Sequence, residues 1–401
     1  MRRYGIWSLL MGIVILTGVE GLISEAEAIP AFARRYQLSC TVCHVGIPKP
    51  NDFGKAFAAN GYQLPDDDFS SLKMDVGDDK LLLMNDVPLA VRADSFFRTR
   101  TDTNTKNDLQ APFSIKLLSS APLKKDISYY FYFFFNERGN VTGVEDAFIV
   151  FNNAYKGVDL DLRVGQFQVS DILFPREQRL TFQDFTYYTT TISDSGFRLT
   201  YDRIAELSYN FDVGDVGVGV WAAVANGNGI GVADSDRNFD SDNFKNFYGK
   251  VALEYGGQTV GFYGYSGKEN NATGIRNEFF RIGPDFDFTL FDNFNVWGNF
   301  LYGKDTNPRF QVSPAADVDS WGYLTGITWP FMEDWIFSAL YNGVRVQGRP
   351  DLNAETITGN VTYYIMRNLK VMVELTGDID KLTPQHPVER HTGVLGLVLA
   401  F

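Results

Sequence analysis

Cys40, Cys43 and His44 fall within five consecutive residues, Cys-Thr-Val-Cys-His. Two thiols three positions apart suit the two vinyl groups of one porphyrin, and an imidazole directly after the second thiol reaches the iron from below. The run reads as the covalent attachment site of a single haem c, with His44 as the proximal iron ligand. Zinc is the first rival, but it needs about four ligands; both cysteines of the chain lie in this run, and the other histidines, His386 and His391, lie far downstream. A redox-active dithiol is the second, and it wants a thioredoxin-like βαβ setting that the flanking sequence lacks. For the distal side, Met74 and Met84 are the methionines between the motif and the first expected strand. Each is a candidate iron ligand, a thioether raising the potential relative to a second imidazole. Packing, a five-coordinate iron or another ligand are the alternatives.

The elements that must hold this run are short. Pro48-Lys49-Pro50 leads to Asn51, a helix N-cap, then to a helix with Phe53, Ala56 and Phe57 on one stripe and Gly61 as its stop. A segment of roughly fifty residues has too little core to fold alone unless a porphyrin adds apolar surface. Upstream, Arg2 and Arg3 precede an apolar run from Ile6 to Leu22, and Ala26-Glu27-Ala28 offers a signal-peptidase site, so residues 1–28 are expected to be a cleaved export signal. Glu20 interrupts the run and no basic stop-transfer cluster follows, against a membrane anchor. Residues 29–86 then form a small α-helical c-type cytochrome domain.

From Val87 to residue 401 the hydropathy alternates with period two, in segments of about ten residues separated by turns, as in a transmembrane β-barrel. Leu160, Leu162 and Val164 alternate with Asp161 and Arg163; Leu369, Val371, Val373 and Leu375 alternate with Lys370, Glu374 and Thr376. In the first segment Val87, Leu89, Val91 and Ala93 oppose Arg92, Asp94, Arg98 and Arg100. One face suits lipid and the other a watery lumen. The chain carries 34 Phe and 20 Tyr, and residues 129–135 are nearly all aromatic, which suits interfacial girdles and lipid-facing strands. The last segment places Leu395, Leu397, Leu399 and Phe401 on one face, resembling the terminal signal read by outer-membrane assembly machinery. Counting gives about sixteen antiparallel strands, with starts including residues 87, 195 and 388, and an even count leaves both barrel ends on the periplasmic side. Turns such as 212–215, 256–257 and 366–368 are then periplasmic, and the longer connections 170–194, 227–244 and 304–316 face outward. A barrel of this size has room for a small folded insert. With an acidic stretch, Asp66 to Asp79, in place of a flexible linker, the cytochrome domain is expected to stay at the mouth and to plug the lumen in part.

A formal charge of -13 argues against nucleic acid and favours cationic or small neutral partners. Asp234, Asp236, Asp240 and Asp242 could collect cations, although acidic surface loops ordinarily serve solvation. Arg176 and Arg179 would form an anion-selective constriction if their loop folds inward, or else local salt bridges. His386 and His391 read as surface residues, with metal contact as the alternative, and Gly227 to Gly231 has no following helix to make a nucleotide site. No catalytic triad, paired-carboxylate site or phosphate loop stands out.

Taken together, Ala31 to Tyr36 ahead of the haem run, Asn51-Asp52-Phe53-Gly54-Lys55-Ala56-Phe57 with Asn60-Gly61-Tyr62 after it, Val87 to Arg92 and Phe174 to Asp184 resemble the fused outer-membrane monohaem cytochrome-porins of iron-oxidising bacteria. The resemblance spans nearly the whole mature chain. It implies a cytochrome plugging a porin in the Gram-negative outer membrane and a ferrous iron oxidase role, with extracellular Fe(II) as donor and a periplasmic c-type cytochrome or similar carrier as acceptor. The physical need is distance, since a hydrocarbon core of about 30 Å separates the two sides. A haem-bearing diffusion porin without directional transfer, and outward transfer to extracellular acceptors, are the alternatives.

Overall fold

The computed structural model describes residues 31–401 apart from 65–73, 75, 79, 82, 86, 102–105, 156, 241, 292, 314 and 381–389. The expected export signal, His386 and most of the Asp66 to Asp79 stretch lie outside the described residues. The first described segment holds three short helices, α1 (Ala31–Tyr36), α2 (Cys40–Cys43) and α3 (Asp52–Ala59), with a small antiparallel ribbon, β1 (His44–Gly46) and β2 (Lys49–Pro50), between the last two.

Sixteen antiparallel strands follow, β3 (Leu89–Arg100) to β18 (Thr392–Ala400), each paired with its neighbours in sequence, and β18 pairs with β3 to close a barrel. The seam is finished by Phe401, whose amide donates to the Val91 carbonyl at 2.8 Å while the Val91 amide donates back at 2.6 Å. Closure leaves no unpaired edge, the condition for a sheet to stand in lipid. The period-two pattern becomes a sheet with an inverted solvent preference. In β17 (Leu369–Asp378), Lys370, Met372, Glu374 and Thr376 are buried toward the lumen, whereas Val373 and Leu375 are exposed on the outside. Exposed Phe97, Val164, Phe247, Phe262, Ile357 and Leu397 continue that apolar belt on other strands.

Three expectations are corrected. The connection 170–194 does not face outward; it turns into the lumen, where Leu173, Phe185, Tyr188 and Ile192 pack on inward-facing Tyr248, Tyr263, Leu301 and Leu340 of the wall. For the same reason β8 (Tyr201–Val213) begins at Tyr201, not near 195: Phe197 and Leu199 alternate like strand residues, but their buried side chains belong to this inner core. The aromatic run 129–135 on β5 (Ile127–Glu137) is only half lipid-facing, since Tyr132 and Phe134 are buried inside the barrel.

Candidate functional site

α2 places Cys40 and Cys43 one helical turn apart, and the chain extends from His44 directly into β1. What fixes this turn is Asn51. Its side-chain oxygen caps α3 by accepting from the Gly54 amide at 2.9 Å, its side-chain nitrogen donates to the Val42 carbonyl at 3.0 Å, and its own amide donates to the Cys43 carbonyl at 2.9 Å. One residue thus joins the start of α3 to the end of the Cys-Thr-Val-Cys turn. Gly54 completes the fit, because a Cβ there would overlap the Cys43 carbonyl. The sequence identifies Asn51 as a cap, but its clamp on the cysteine turn required the tertiary contact.

Burial pushes the Cys40 and Cys43 thiols up from their usual range. Reactive dithiols have the opposite shift. Burial also lowers the proton affinity of His44, and its Nδ1 is buried with no hydrogen-bond partner. Beside the run, Phe57 is buried among Phe32, Tyr36 and Tyr62, with ring centroids 5.5, 5.5 and 5.9 Å away. Val42 and Phe53 are 36% and 43% exposed. Two thiols, an imidazole with an unused nitrogen, and uncovered apolar side chains make a donor set and a surface that a porphyrin fits. Met74 stands 47% exposed and Met84 is half-buried, on a stretch where the Met74 amide donates to the Leu83 carbonyl at 2.9 Å. His391 is half-buried at the start of the last strand, its amide bound to Thr101 Oγ1.

The segment sits inside the barrel. Lys49 Nζ donates to Asn295 Oδ1 at 2.8 Å and Thr328 Oγ1 at 3.0 Å and lies 4.7 Å from the Trp297 ring, and Lys55 pairs with Asp287 at 3.0 Å. Lys370 Nζ and the Tyr364 hydroxyl both donate to the Ile47 carbonyl, at 2.6 and 3.2 Å. Tyr62 stacks on Tyr130, and Gly61, at a positive φ of 62°, lies so close to Asn152 and Ser128 that a side chain would overlap them. These wall residues cluster next to the short turns around 126, 291, 333–334 and 367–368. Short turns mark the periplasmic end of such barrels. The segment therefore sits in the periplasmic half of the lumen.

From the other side the inward connection reaches toward it. Glu374 accepts from the Phe182 and Gln183 amides at 2.6 and 2.8 Å, Asn342 holds the Asp184 carbonyl at 2.7 Å and the Thr186 amide at 2.9 Å, and Leu180 packs on Ile336 and Tyr364. Arg176 and Arg179 sit at its tip and do both things the sequence offered: they enter the lumen, and they form local ion pairs with Asp184. Burial alone would raise the Asp184 carboxyl, but these two guanidiniums hold it at about 2. Between this tip and β3, β4 (Asn107–Lys124) and β17 a charged cavity of about 790 Å³ remains. The acidic loop 227–244 uses its carboxylates on its own turns: Asp234 Oδ1 accepts from the Asp236 and Asn238 amides, and Asp240 from Asn228 and Lys245.

The barrel is similar to that of the anion-selective porin from Comamonas acidovorans, with a TM-score of 0.55 at 14% identity over 79% of this chain and 99% of that one. This is a porin fold. The outer-membrane channel DcaP of Acinetobacter baumannii (TM-score 0.54, 12% identity, 79% and 97% covered) and Salmonella typhi OmpF in complex with daunomycin (0.52, 14%, 79% and 97%) share it. No protein-family model and no curated protein sequence matches the chain. A closed porin-fold barrel with an apolar exterior, and with charged and polar side chains such as Asp94, Asp285, Lys370 and Glu374 turned inward, is a protein of the Gram-negative outer membrane.

Proposed function

We propose that this chain is an outer-membrane electron conduit that takes electrons from extracellular Fe(II) and delivers them to a periplasmic c-type cytochrome or similar carrier. The observation that carries the reading is the position of Cys40, Cys43 and His44 within the lumen at the periplasmic end, held by Lys49, Lys55 and Tyr62 from one side and Tyr364 and Lys370 from the other. Haem c bound to the two cysteines and His44 would supply a one-electron carrier there, with Met74 or Met84 as candidate distal ligand. The chain's own contribution is placement. Asn51 and Gly54 hold the attachment turn, the wall contacts fix its depth, and the inward connection narrows the path from outside, so that ferric product stays beyond the membrane. Spectral titration of outer-membrane fractions with Fe(II) tests the reading. Reduction of the haem bands supports it, and bands that stay oxidised under excess Fe(II) at neutral pH refute this direction of flow and leave outward transfer.

A second reading is a diffusion porin in which the N-terminal segment is a fixed plug without electron transfer. It is favoured by the residual cavity and by the resemblance to solved porins, one of them anion-selective. Reconstituted wild-type protein with a large open conductance would favour this second reading.

A further inference from the structure

We infer that Tyr62 and Tyr130 form an oxidative cross-linking site, at which hydrogen peroxide reduced at the attachment segment joins the two phenols as a dityrosine and ties the plug covalently to the wall. The inference rests on the haem proposed for Cys40, Cys43 and His44. Tyr62 and Tyr130 are stacked, with ring centroids 5.7 Å apart and planes 23° from parallel, and among the described residues theirs is the one contact between a phenol ring of the N-terminal segment and one of the wall. The Tyr62 ring also meets Phe57, at 5.9 Å, and Phe57 lies on α3, whose start is clamped to the Cys-Thr-Val-Cys turn. A run of aromatic contacts therefore leads from that turn to the phenol pair. The backbone at Tyr62 is held for this placement. Its φ of 61° is a left-handed conformation that bulky residues seldom adopt. Two bonds keep it there, from the Tyr62 amide to the Phe57 carbonyl and from the Tyr36 hydroxyl to the Tyr62 carbonyl, each 2.9 Å. Strain kept in this way clusters at functional positions. Phenylalanine rings resist one-electron oxidation, whereas a phenol gives up an electron together with its hydroxyl proton. Bound haem would supply the centre that reduces peroxide. Each phenol loses one electron and one proton, and peroxide takes up both electrons and both protons and leaves as two waters. One carbon ortho to each hydroxyl then joins its counterpart in a single C–C bond, and the hydrogen on each of those carbons passes to the phenolic oxygen.

Treatment of purified full-length protein in detergent with hydrogen peroxide, followed by dityrosine fluorescence and peptide mass spectrometry, tests it, with haem content measured on the same sample. A cross-link between the Tyr62 and Tyr130 peptides is expected in the wild type. It should be lost in Tyr62→Phe and in Tyr130→Phe, each of which keeps the ring stack, and in the haem-free Cys40→Ala/Cys43→Ala variant. Tyr323 and Tyr341 provide an internal control: their rings are stacked at 5.3 Å on the outer face of the barrel, away from the plug, and should stay uncoupled. Haem-loaded wild type that yields no Tyr62–Tyr130 product overturns the inference and leaves the haem reading standing. Equal coupling of both pairs, or an undiminished product in the haem-free variant, overturns it as well, because the oxidation would then be undirected. Wild type found without haem defeats the reading and the inference together, and the haem measurement tells that case from the others.

Discussion

At the residue scale, the proposed haem attachment depends on how firmly the turn from Cys40 to His44 is held. Asn51 donates to the Thr41, Val42 and Cys43 carbonyls across the junction between α2 and α3 and caps α3 by accepting from Gly54, and Gly54 permits the close approach. Asn51→Ala should remove the cap and the side-chain part of the clamp while keeping the amide bond to Cys43, costing on the order of 1–2 kcal/mol of local stability. Gly54→Ala should force α3 away from Cys43. Both variants should show covalent haem reduced severalfold relative to barrel protein, measured as peroxidase-stained haem per unit of folded barrel on gels. Retention of full haem content in both would mean the clamp is dispensable. For the distal side, Met74→Ala and Met84→Ala separate the two candidates: loss of the ligand converts low-spin iron to high-spin in the optical spectrum. Cys40, Cys43 and His44 stand out as the proposed haem site from spacing alone because a porphyrin would constrain them locally. The clamp and the partners of Lys49 and Lys370 are not, because they join residues separated by hundreds of positions.

At the element scale, the decisive feature is the connection between β7 (Leu160–Gln168) and β8, which fills the lumen instead of facing solvent. Its Phe, Tyr and Leu content suits an inner core, but period-two reading assigns alternating apolar residues to strands and long gaps to outer loops. That rule placed the start of every strand within a few residues except here and at the last strand. Glu374 latches the tip through two charge-assisted bonds to backbone amides, each worth roughly 1.5–3 kcal/mol. Glu374→Ala should therefore loosen the tip and raise single-channel conductance of the reconstituted barrel severalfold; an unchanged conductance would show that the apolar core alone fixes the loop. The tip should also respond to acid. Asp184 is held at about 2 against an ordinary 3.8, so its contribution is fully present above about 3.8 and is lost as pH falls through 2. Conductance should stay constant from neutral pH down to about 4 and rise below it, and Asp184→Asn should show the raised value already at neutral pH.

At the scale of the whole molecule, two inserts share one lumen: an N-terminal segment seated from the periplasmic end and a connection folded in from the other. The apolar exterior answers to lipid, which is why alternation, an even strand count and the terminal aromatic made the barrel readable without a fold template. How deep the plug sits was not readable, since it depends on Asp287, Asn295, Thr328 and Tyr364 on distant strands meeting Lys49, Lys55 and Ile47. The central claim is that this plug carries one covalent haem inside a folded outer-membrane barrel. A pyridine haemochrome assay on the purified, heat-modifiable barrel, beside a Cys40→Ala/Cys43→Ala double variant, tests it most directly. One haem per chain in the wild type and none in the variant, with both barrels folded, is the predicted result; a folded wild-type barrel without covalent haem, isolated from cells competent in haem attachment, would contradict it.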